Sequence, residues 1–209
     1  MIQPRYHIVL VAGYARAGKD TFAAGLVSRA ALCTKVAFAD CLKAAANRYL
    51  KAVGLYNESD DFHGAESEGD QVVRNFFDED FKKANRDILV QLGRFARSID
   101  RDVFVKALCT KARMIQQGVI PNDACVVVPD WRYLNELRVV QSELGADGWK
   151  VVTVLIEQAD LHPANEEEAM SLAEIRREHA YDFEYSFAPG QAALVRSEGQ
   201  ALAARLGLC

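Results

Sequence analysis

Ile-Val-Leu-Val-Ala-Gly-Tyr-Ala-Arg-Ala-Gly-Lys-Asp-Thr, residues 8–21, is the stretch that decides the fold of this chain. Residues 8–12 are apolar and mostly β-branched, which is typical of a buried strand. Residues 13–19 have the spacing G-x-x-x-x-G-K of a phosphate-binding loop. Apolar residues at helical spacing follow, so the order is strand, loop, helix, the context in which this spacing binds phosphate. The stretch therefore predicts a site for a nucleoside triphosphate.

The residue types in this loop suit a triphosphate. Gly13 and Gly18 allow tight turns that bring backbone N–H groups onto phosphate oxygens, and the N-terminus of the next helix favours the same anion. Lys19 adds a mobile positive charge at the β and γ phosphates. Arg16 either adds a second positive group there or points to solvent.

Mg²⁺ would accompany the triphosphate, and two places in the sequence offer ligands. The position after the lysine usually carries Ser or Thr for the metal, but here it is Asp20, with Thr21 next. Either residue would contact Mg²⁺, directly or through water, or Asp20 is only a first-turn residue that the helix dipole favours. Residues 124–130, Ala-Cys-Val-Val-Val-Pro-Asp, form an apolar strand that ends in Asp130. A carboxylate at a neighbouring strand end can approach the metal, so Asp130 is a second candidate, with a turn aspartate as the alternative.

The composition indicates one soluble α/β domain. The chain has 209 residues, 50% of them hydrophobic, enough for a sizeable core. A net charge of −4 argues against a dedicated nucleic-acid binder. The apolar run at 8–12 is too short for a signal peptide or a membrane span, so we expect no membrane association and a cytoplasmic location. The five cysteines show no C-x-x-C pairing and are expected to be reduced and mostly buried. They are Cys33, Cys41, Cys109, Cys125 and Cys209.

Strand and helix patterns alternate along the chain, which predicts a parallel sheet of about five strands with helices on both faces, a three-layer sandwich. The predicted strands are residues 8–12, 35–39, 124–130, 149–156 and 183–187. The predicted helices are residues 19–32, 40–53, one from residue 86, 102–117, 135–144, one within 157–182, and 198–206. Residues 57–70 carry six carboxylates and predict an exposed loop, in which His63 has no partner at metal-ligand spacing.

The helix from residue 86 has two distinct faces. At 100° per residue, apolar side chains are expected to cover the core side, and arginines the opposite side. The apolar set is Ile88, Leu89, Leu92, Phe95, Ala96 and Ile99. The arginines are Arg86, Arg94, Arg97 and Arg101. They form either a solvated face with salt bridges or a guanidinium clamp on a phosphate, and their being arginine without lysine favours the clamp.

Three further features leave alternatives open. Asp40 follows a predicted strand and is either a ligand group or a helix N-cap. Trp131 either stacks on a base or belongs to the core. Residues 157–182 would either close over a bound nucleotide as a lid, with Arg176 or Arg177 reaching the transferring phosphate, or form an ordinary surface helix. The domain prediction is a single domain over 1–209, with an acceptor-binding insertion at about 54–101 and this lid.

Four segments, spread over most of the chain, together match one known family. They are residues 13–21, Phe38-Ala39-Asp40-Cys41-Leu42-Lys43, Leu89-Val90-Gln91-Leu92-Gly93 with the arginines after it, and Asp130-Trp131-Arg132-Tyr133-Leu134-Asn135-Glu136. In these segments the chain resembles the deoxynucleoside monophosphate kinases of bacteriophages, within the P-loop kinase superfamily. The first segment is shared by many kinases, and the last, D-x-R-x-x-N-E after a strand, is the more specific.

The resemblance implies transfer of the γ-phosphoryl group from ATP to a deoxynucleoside monophosphate, with Mg²⁺, in the host cytosol. Lys19, Arg97 and Asp130 would be catalytic, although the choice between Arg94 and Arg97 stays open. The ATP phosphates would be held by Gly13, Arg16, Gly18, Lys19, Asp20 and Thr21. The acceptor would be held by Asp40, Lys43, Arg86, Gln91, Arg94, Arg97, Asp130, Trp131 and Arg132. The expected partners are small-molecule nucleotides, with no direct nucleic-acid contact and with a homodimer left open.

Two rival functions share the same donor site. A kinase for another small acceptor, such as dephospho-coenzyme A or a ribonucleoside monophosphate, would differ only in its acceptor pocket. An ATP-regulated binding or assembly protein would change shape on binding ATP and would have no acceptor. The arginines on the helix from residue 86 favour transfer over such a switch.

Overall fold

The computed structural model describes residues 6–30, 32–55, 74–118 and 124–208, which form five strands and eight helices. The strands are β1 (Tyr6–Ala12), β2 (Cys33–Lys35), β3 (Ala124–Val128), β4 (Trp149–Gln158) and β5 (Phe183–Phe187). The helices are α1 (Lys19–Arg29), α2 (Phe38–Ala52), α3 (Glu79–Ala84), α4 (Arg86–Ile99), α5 (Val103–Gly118), α6 (Leu134–Ala146), α7 (Glu166–Glu178) and α8 (Ala192–Arg205). The loop expected at 57–70, with His63, lies outside the described residues, as does Cys209.

The five strands form one parallel sheet in the order β2-β3-β1-β4-β5. The chain leaves β1 through α1 towards β2 and leaves β3 through α6 towards β4, so these two connections run in opposite directions across the sheet. Because parallel crossovers are right-handed, α1 and α6 cover opposite faces. The predicted α/β architecture is confirmed, and it is consistent with a three-layer sandwich. The point where the two connections diverge, between β1 and β3, is where open parallel sheets form their crevice.

The core of the sheet is apolar on both faces. Val9 and Val11 of β1 lie with Val127 and Val154 in one cluster, against Phe22, Leu26 and Leu202 of α1 and α8. The alternate residues of these strands are also fully buried. Burial on both faces explains why the central strands are mostly apolar.

Helices α1 and α8 approach each other closely through two glycines. A Cβ at Gly25 would lie 2.1 Å from the backbone oxygen of Arg196, and a Cβ at Gly199 would lie 2.2 Å from that of Phe22. No side chain fits at either position unless the backbone moves. The two glycines therefore set the distance between α1 and α8, and α1 begins at the predicted phosphate loop.

The chain divides into two compact units. The larger comprises Met1–Phe38 and Val105–Cys209, with the sheet, and the smaller is Ala39–Phe104. In the smaller unit, Gly93 of α4 faces Leu42 of α2, where an added Cβ would lie 3.3 Å from the leucine Cδ2. Its buried residues include Ala46 and Phe76.

Several element boundaries differ from the sequence-based expectations. The second strand is Cys33–Lys35, not 35–39, and α2 begins at Phe38, so Asp40 lies inside the first helical turn and is not its N-cap. Helix α8 begins six residues before the predicted start, and α3 was not predicted. Ala-rich and charged stretches carry weak apolar periodicity, and this explains the shift of α8.

The expected core face of α4 is wrong in part. Ile88, Phe95 and Ile99 are 48%, 65% and 73% exposed, although Leu89 and Leu92 are half-buried. The helix also ends at Ile99, so Arg101 lies in the following turn and does not continue the arginine face. Apolar periodicity indicates which side of a helix is apolar, but not how much of that side other elements cover. Among the described residues, only part of the apolar side of α4 is covered.

Cysteine burial and membrane character can be read directly from the described residues. Cys109 and Cys125 are buried, whereas Cys33 and Cys41 are half-buried. Burial, with a contribution from the nearby Glu143 carboxylate, raises the pKa of Cys109 to about 12. Across the described ranges, no helix is long and apolar enough to cross a bilayer.

Candidate functional site

The predicted phosphate loop is a tight turn at the carboxyl end of β1. Gly13, Arg16 and Gly18 all have positive φ, at 143°, 69° and 97°. A Cβ at Gly13 would lie 2.2 Å from the backbone oxygen of Ile156, so only glycine fits there. Gly18 is the N-cap of α1 and has no side chain to cap its first amides. The backbone thus has the turns that the spacing predicts, and it presents the start of a helix, which favours anions.

Lys19 folds back over this turn. Its Nζ donates hydrogen bonds of 2.7 Å to the backbone oxygens of both Gly13 and Tyr14. Burial, and secondly the positive charge of Arg132, lower the pKa of Lys19, while the carboxylates of Glu168, Asp20 and Asp130 oppose this shift. The positive charge of Arg132 therefore acts on Lys19, although Arg132 was expected only from the resemblance.

One backbone N–H of the loop is hydrogen-bonded to a carboxylate. The backbone N–H of Ala15 donates to Oε1 of Glu168, at the start of α7, over 2.8 Å. The amide of this loop can therefore hold an oxyanion, which fits the predicted phosphate chemistry. The sequence offered no signal for this contact, because the two residues are 153 positions apart.

The two residues after Lys19 that were predicted to contact Mg²⁺ differ in their surroundings. Asp20 is 78% exposed in its side chain and forms a 2.6 Å ion pair with Lys35. Thr21 is half-buried. Within the described parts of the chain no group of three His, Cys, Asp or Glu side chains could hold a metal ion. Protein side chains alone thus form no metal centre there, and one or two carboxylates with substrate phosphates and water remain the usual arrangement for Mg²⁺.

Asp130 combines two features. Its Oδ1 accepts a 2.9 Å hydrogen bond from the backbone N–H of Phe38, and its charge also acts on Lys19. It is half-buried at the carboxyl end of β3, next to β1 in the sheet. Asp130 therefore makes a structural contact with the backbone of Phe38, and its charge also influences Lys19 of the predicted donor site.

Two further residues of the segment with the D-x-R-x-x-N-E motif, Trp131 and Glu136, make contacts that stabilise the local fold. Trp131 is 1% exposed, and its Nε1 donates to the backbone oxygen of Tyr133 over 2.9 Å. The core alternative thus holds for Trp131, and we remove it from the acceptor set. Glu136, which sequence reasoning gave no role, is 5% exposed and accepts from the backbone N–H groups of Arg132 and Tyr133. It caps α6 and so fixes the backbone from which Arg132 projects.

The acceptor candidates of the smaller unit lie on α2 and α4. Arg86, Arg94 and Arg97 are all exposed, as the arginine face predicted, and so is Gln91. The guanidinium of Arg97 lies 4.8 Å from the ring centroid of Phe104, a cation–π contact. Nζ of Lys43 lies 3.3 Å from Oδ1 of Asp40, an ion pair within α2.

The two lid arginines are paired with carboxylates on α7 and β4. Arg176 forms an ion pair with Glu157, and Arg177 forms one of 3.1 Å with its neighbour Glu178. Both arginines lie at the C-terminal end of α7, about 12 Å along the helix from Glu168 at a rise of 1.5 Å per residue. The end of this segment that meets the predicted phosphate loop is therefore acidic, not basic.

Comparison with known proteins assigns no family. No family description matches the chain. No curated protein matches it either. The fold and the loop geometry therefore define the class on their own: an α/β protein with a glycine-containing, lysine-bearing anion loop at the carboxyl end of its central strand.

Proposed function

We propose that this protein is an ATP-dependent kinase that transfers a γ-phosphoryl group to a deoxynucleoside monophosphate in the cytosol. The observation that carries the proposal is the loop at residues 13–19, with its three positive φ values, its lysine and a backbone N–H that already donates to a carboxylate. Together with the motifs that resemble bacteriophage deoxynucleoside monophosphate kinases, this loop favours phosphoryl transfer over other uses of the fold.

The residues of the larger unit would act on the donor. Phosphoryl transfer needs positioning and charge neutralisation more than covalent chemistry. Lys19 would turn from the loop carbonyls to the β and γ phosphates, and Arg132 would add a second positive charge. Mg²⁺, when bound, would neutralise the phosphates, with Asp130 as the candidate carboxylate and Asp20 or Thr21 as a contact through water.

The residues of the smaller unit would act on the acceptor. Arg94 and Arg97 are exposed on one helix, and a guanidinium can bind two phosphate oxygens at once. Asp40, Lys43 and Gln91 remain acceptor candidates through the resemblance alone, and Arg86 remains one through the arginine face of α4. The test of the whole proposal is an assay of ATP-dependent nucleoside diphosphate formation over a panel of monophosphates.

We expect Asp130→Asn to lower turnover about tenfold or more and to weaken its dependence on Mg²⁺, because the amide keeps the shape but loses the charge that the metal needs. Asparagine can still accept from the N–H of Phe38, so the free energy of unfolding should change by less than about 1 kcal/mol. Turnover would be measured against Mg²⁺ concentration, and stability by urea unfolding. Asp147→Asn, which removes the same charge beside Arg113, serves as the control.

A variant of Asp130 that unfolds at lower urea but keeps the normal rate per folded molecule would make this aspartate structural. Its contact with the backbone N–H of Phe38 would then be part of that structural role.

We expect an arginine-to-lysine change at the residue that binds the acceptor phosphate to weaken acceptor binding by roughly 1 to 3 kcal/mol, because lysine keeps the charge but loses the paired planar donors. Affinity for ATP should hardly change. Arg86, Arg94, Arg97 and Arg101 would be changed singly, and the apparent constants for ATP and a deoxynucleoside monophosphate measured separately. Arg101, outside α4, is the internal comparison.

If none of the four changes affects the acceptor constant, the arginine face of α4 is a solvated surface. The preference for a kinase over an ATP-regulated switch would then lose its main support in the smaller unit.

A further inference from the structure

Glu168 connects α7 to the predicted phosphate loop through both of its carboxylate oxygens. Oε1 accepts from the backbone N–H of Ala15 over 2.8 Å, and Oε2 accepts from the backbone N–H of Ala164 over 2.7 Å. The backbone N–H of Glu168 itself donates to Oδ1 of Asn165, the N-cap of α7, over 2.9 Å. One carboxylate therefore bridges the start of a helix and the loop.

Ordinary helix capping explains only half of this arrangement. In a capping box, the acid at the third helical position accepts from the backbone N–H of its own N-cap. Oε2 makes a similar contact one residue earlier, at Ala164, but Oε1 reaches Ala15, across the fold. A carboxylate oxygen that accepts from a backbone amide makes the same kind of charge-assisted hydrogen bond as a phosphate oxygen, and a phosphate brings more negative charge and more acceptor oxygens.

We infer that Glu168 is an internal competitor of the nucleotide phosphates, which must displace its carboxylate from the Ala15 amide in order to bind. The inference rests on the proposed function, because it concerns the donor site of that reaction. This competition makes α7 sensitive to occupancy of the loop. A phosphate that accepts from the Ala15 N–H breaks the contact between the loop and Glu168 at the start of α7.

The charges around the loop support this competition. Glu168 acts electrostatically on Lys19, the residue that would bind the incoming phosphates. Lys19 in turn is bonded to the Gly13 and Tyr14 oxygens, so both the amide and the ammonium of the loop are satisfied within the protein. A bound triphosphate adds negative charge beside the carboxylate, and like charges at short range repel. Once Ala15 is taken, Glu168 keeps its bond to Ala164, so its release leaves the α7 cap in place.

The test compares Glu168→Gln with Glu166→Gln, which removes the same charge from the same helical turn at an exposed residue. Inorganic tripolyphosphate and ATP, each with and without Mg²⁺, would be titrated calorimetrically into the wild type and both variants. Glu168→Gln should bind both ligands about tenfold more tightly, since a charged competitor for one amide is removed, and Glu166→Gln should bind as the wild type does.

A second variant guards against misfolding. Glu168→Asp keeps the charge but shortens the side chain by one methylene, which withdraws it from Ala15. It should also bind tripolyphosphate more tightly, and hydrogen exchange in buffer without nucleotide should show faster exchange at the Ala15 amide in this variant than in the wild type.

Two outcomes overturn the inference, and they can be told apart. If the wild type binds and turns over ATP but both Glu168 variants bind tripolyphosphate with unchanged affinity, Glu168 is only a structural cap and the proposed kinase stands. If neither the wild type nor any variant binds tripolyphosphate or ATP, the donor site itself is wrong and the inference falls with the proposed function.

Discussion

Lys19→Ala should lower turnover by at least about a hundredfold, because it removes a charge that stabilises the transferring phosphate most in the transition state. The fold should survive the change. Among the described residues the ammonium donates to the backbone oxygens of Gly13 and Tyr14, both within the loop itself, so its loss breaks no contact between separate elements of the fold. Turnover would be measured at saturating ATP and acceptor, with circular dichroism and urea unfolding to follow the fold.

Lys150→Ala is the matched control for this prediction. Lys150 is exposed near the amino end of β4, beside His7 in the register, whereas the loop follows the carboxyl end of β1. The substitution therefore removes the same charge far from the loop. It should leave turnover within about twofold of the wild type, because its charge is screened by solvent at that distance. Near-normal turnover in a folded Lys19→Ala variant would reject the donor site.

Gly199→Ala should destabilise the protein by about 3 kcal/mol, the upper part of the range for overpacking, and has the largest expected effect on stability. The new Cβ would lie 2.2 Å from the backbone oxygen of Phe22 and 3.0 Å from the backbone nitrogen of Leu26. Neither backbone atom can move aside as a flexible side chain can, so α8 must shift away from α1. Urea unfolding gives the free-energy change, and binding of tripolyphosphate reports on the loop that precedes α1.

Gly145→Ala is the control for the helix contact. Gly145 lies near the end of α6 with nothing within 4 Å of an added Cβ, so alanine should be neutral or stabilise by up to about 1 kcal/mol through its higher helix propensity. If Gly199→Ala unfolds at the same urea concentration as the wild type, the close approach of α1 and α8 does not constrain the fold in solution.

The sequence predicts the central part of this fold well. β1, β3 and β4 are covered on both faces, so each is rich in apolar residues, and the loop after β1 carries its own glycine and lysine signature. β2 is a three-residue edge strand whose Thr34 and Lys35 are exposed. Such a strand has almost no apolar pattern, so its start was missed by two residues and its end by four.

The tertiary contacts of the candidate site were beyond sequence reasoning. Nothing local to Glu168 indicates that its carboxylate reaches Ala15, and nothing local to Gly25 or Gly199 indicates a backbone within 2.2 Å of the missing Cβ. Trp131 shows the same limit, because an aromatic residue after a strand has no pattern that separates a core position from a stacking one. Contacts between distant positions depend on how the whole chain packs, and no short stretch of sequence determines that packing.

The central claim is phosphoryl transfer from ATP to a deoxynucleoside monophosphate. The most direct measurement incubates the protein with MgATP and each deoxynucleoside and ribonucleoside monophosphate in turn, and quantifies ADP and the nucleoside diphosphate. We predict equal amounts of ADP and diphosphate with at least one deoxynucleotide, slower reaction with its ribonucleotide counterpart, and loss of both products in Lys19→Ala. Equal rates with ribo- and deoxyribonucleotides would keep the kinase but reject the narrower family. Binding of ATP without diphosphate formation from any acceptor would contradict the claim.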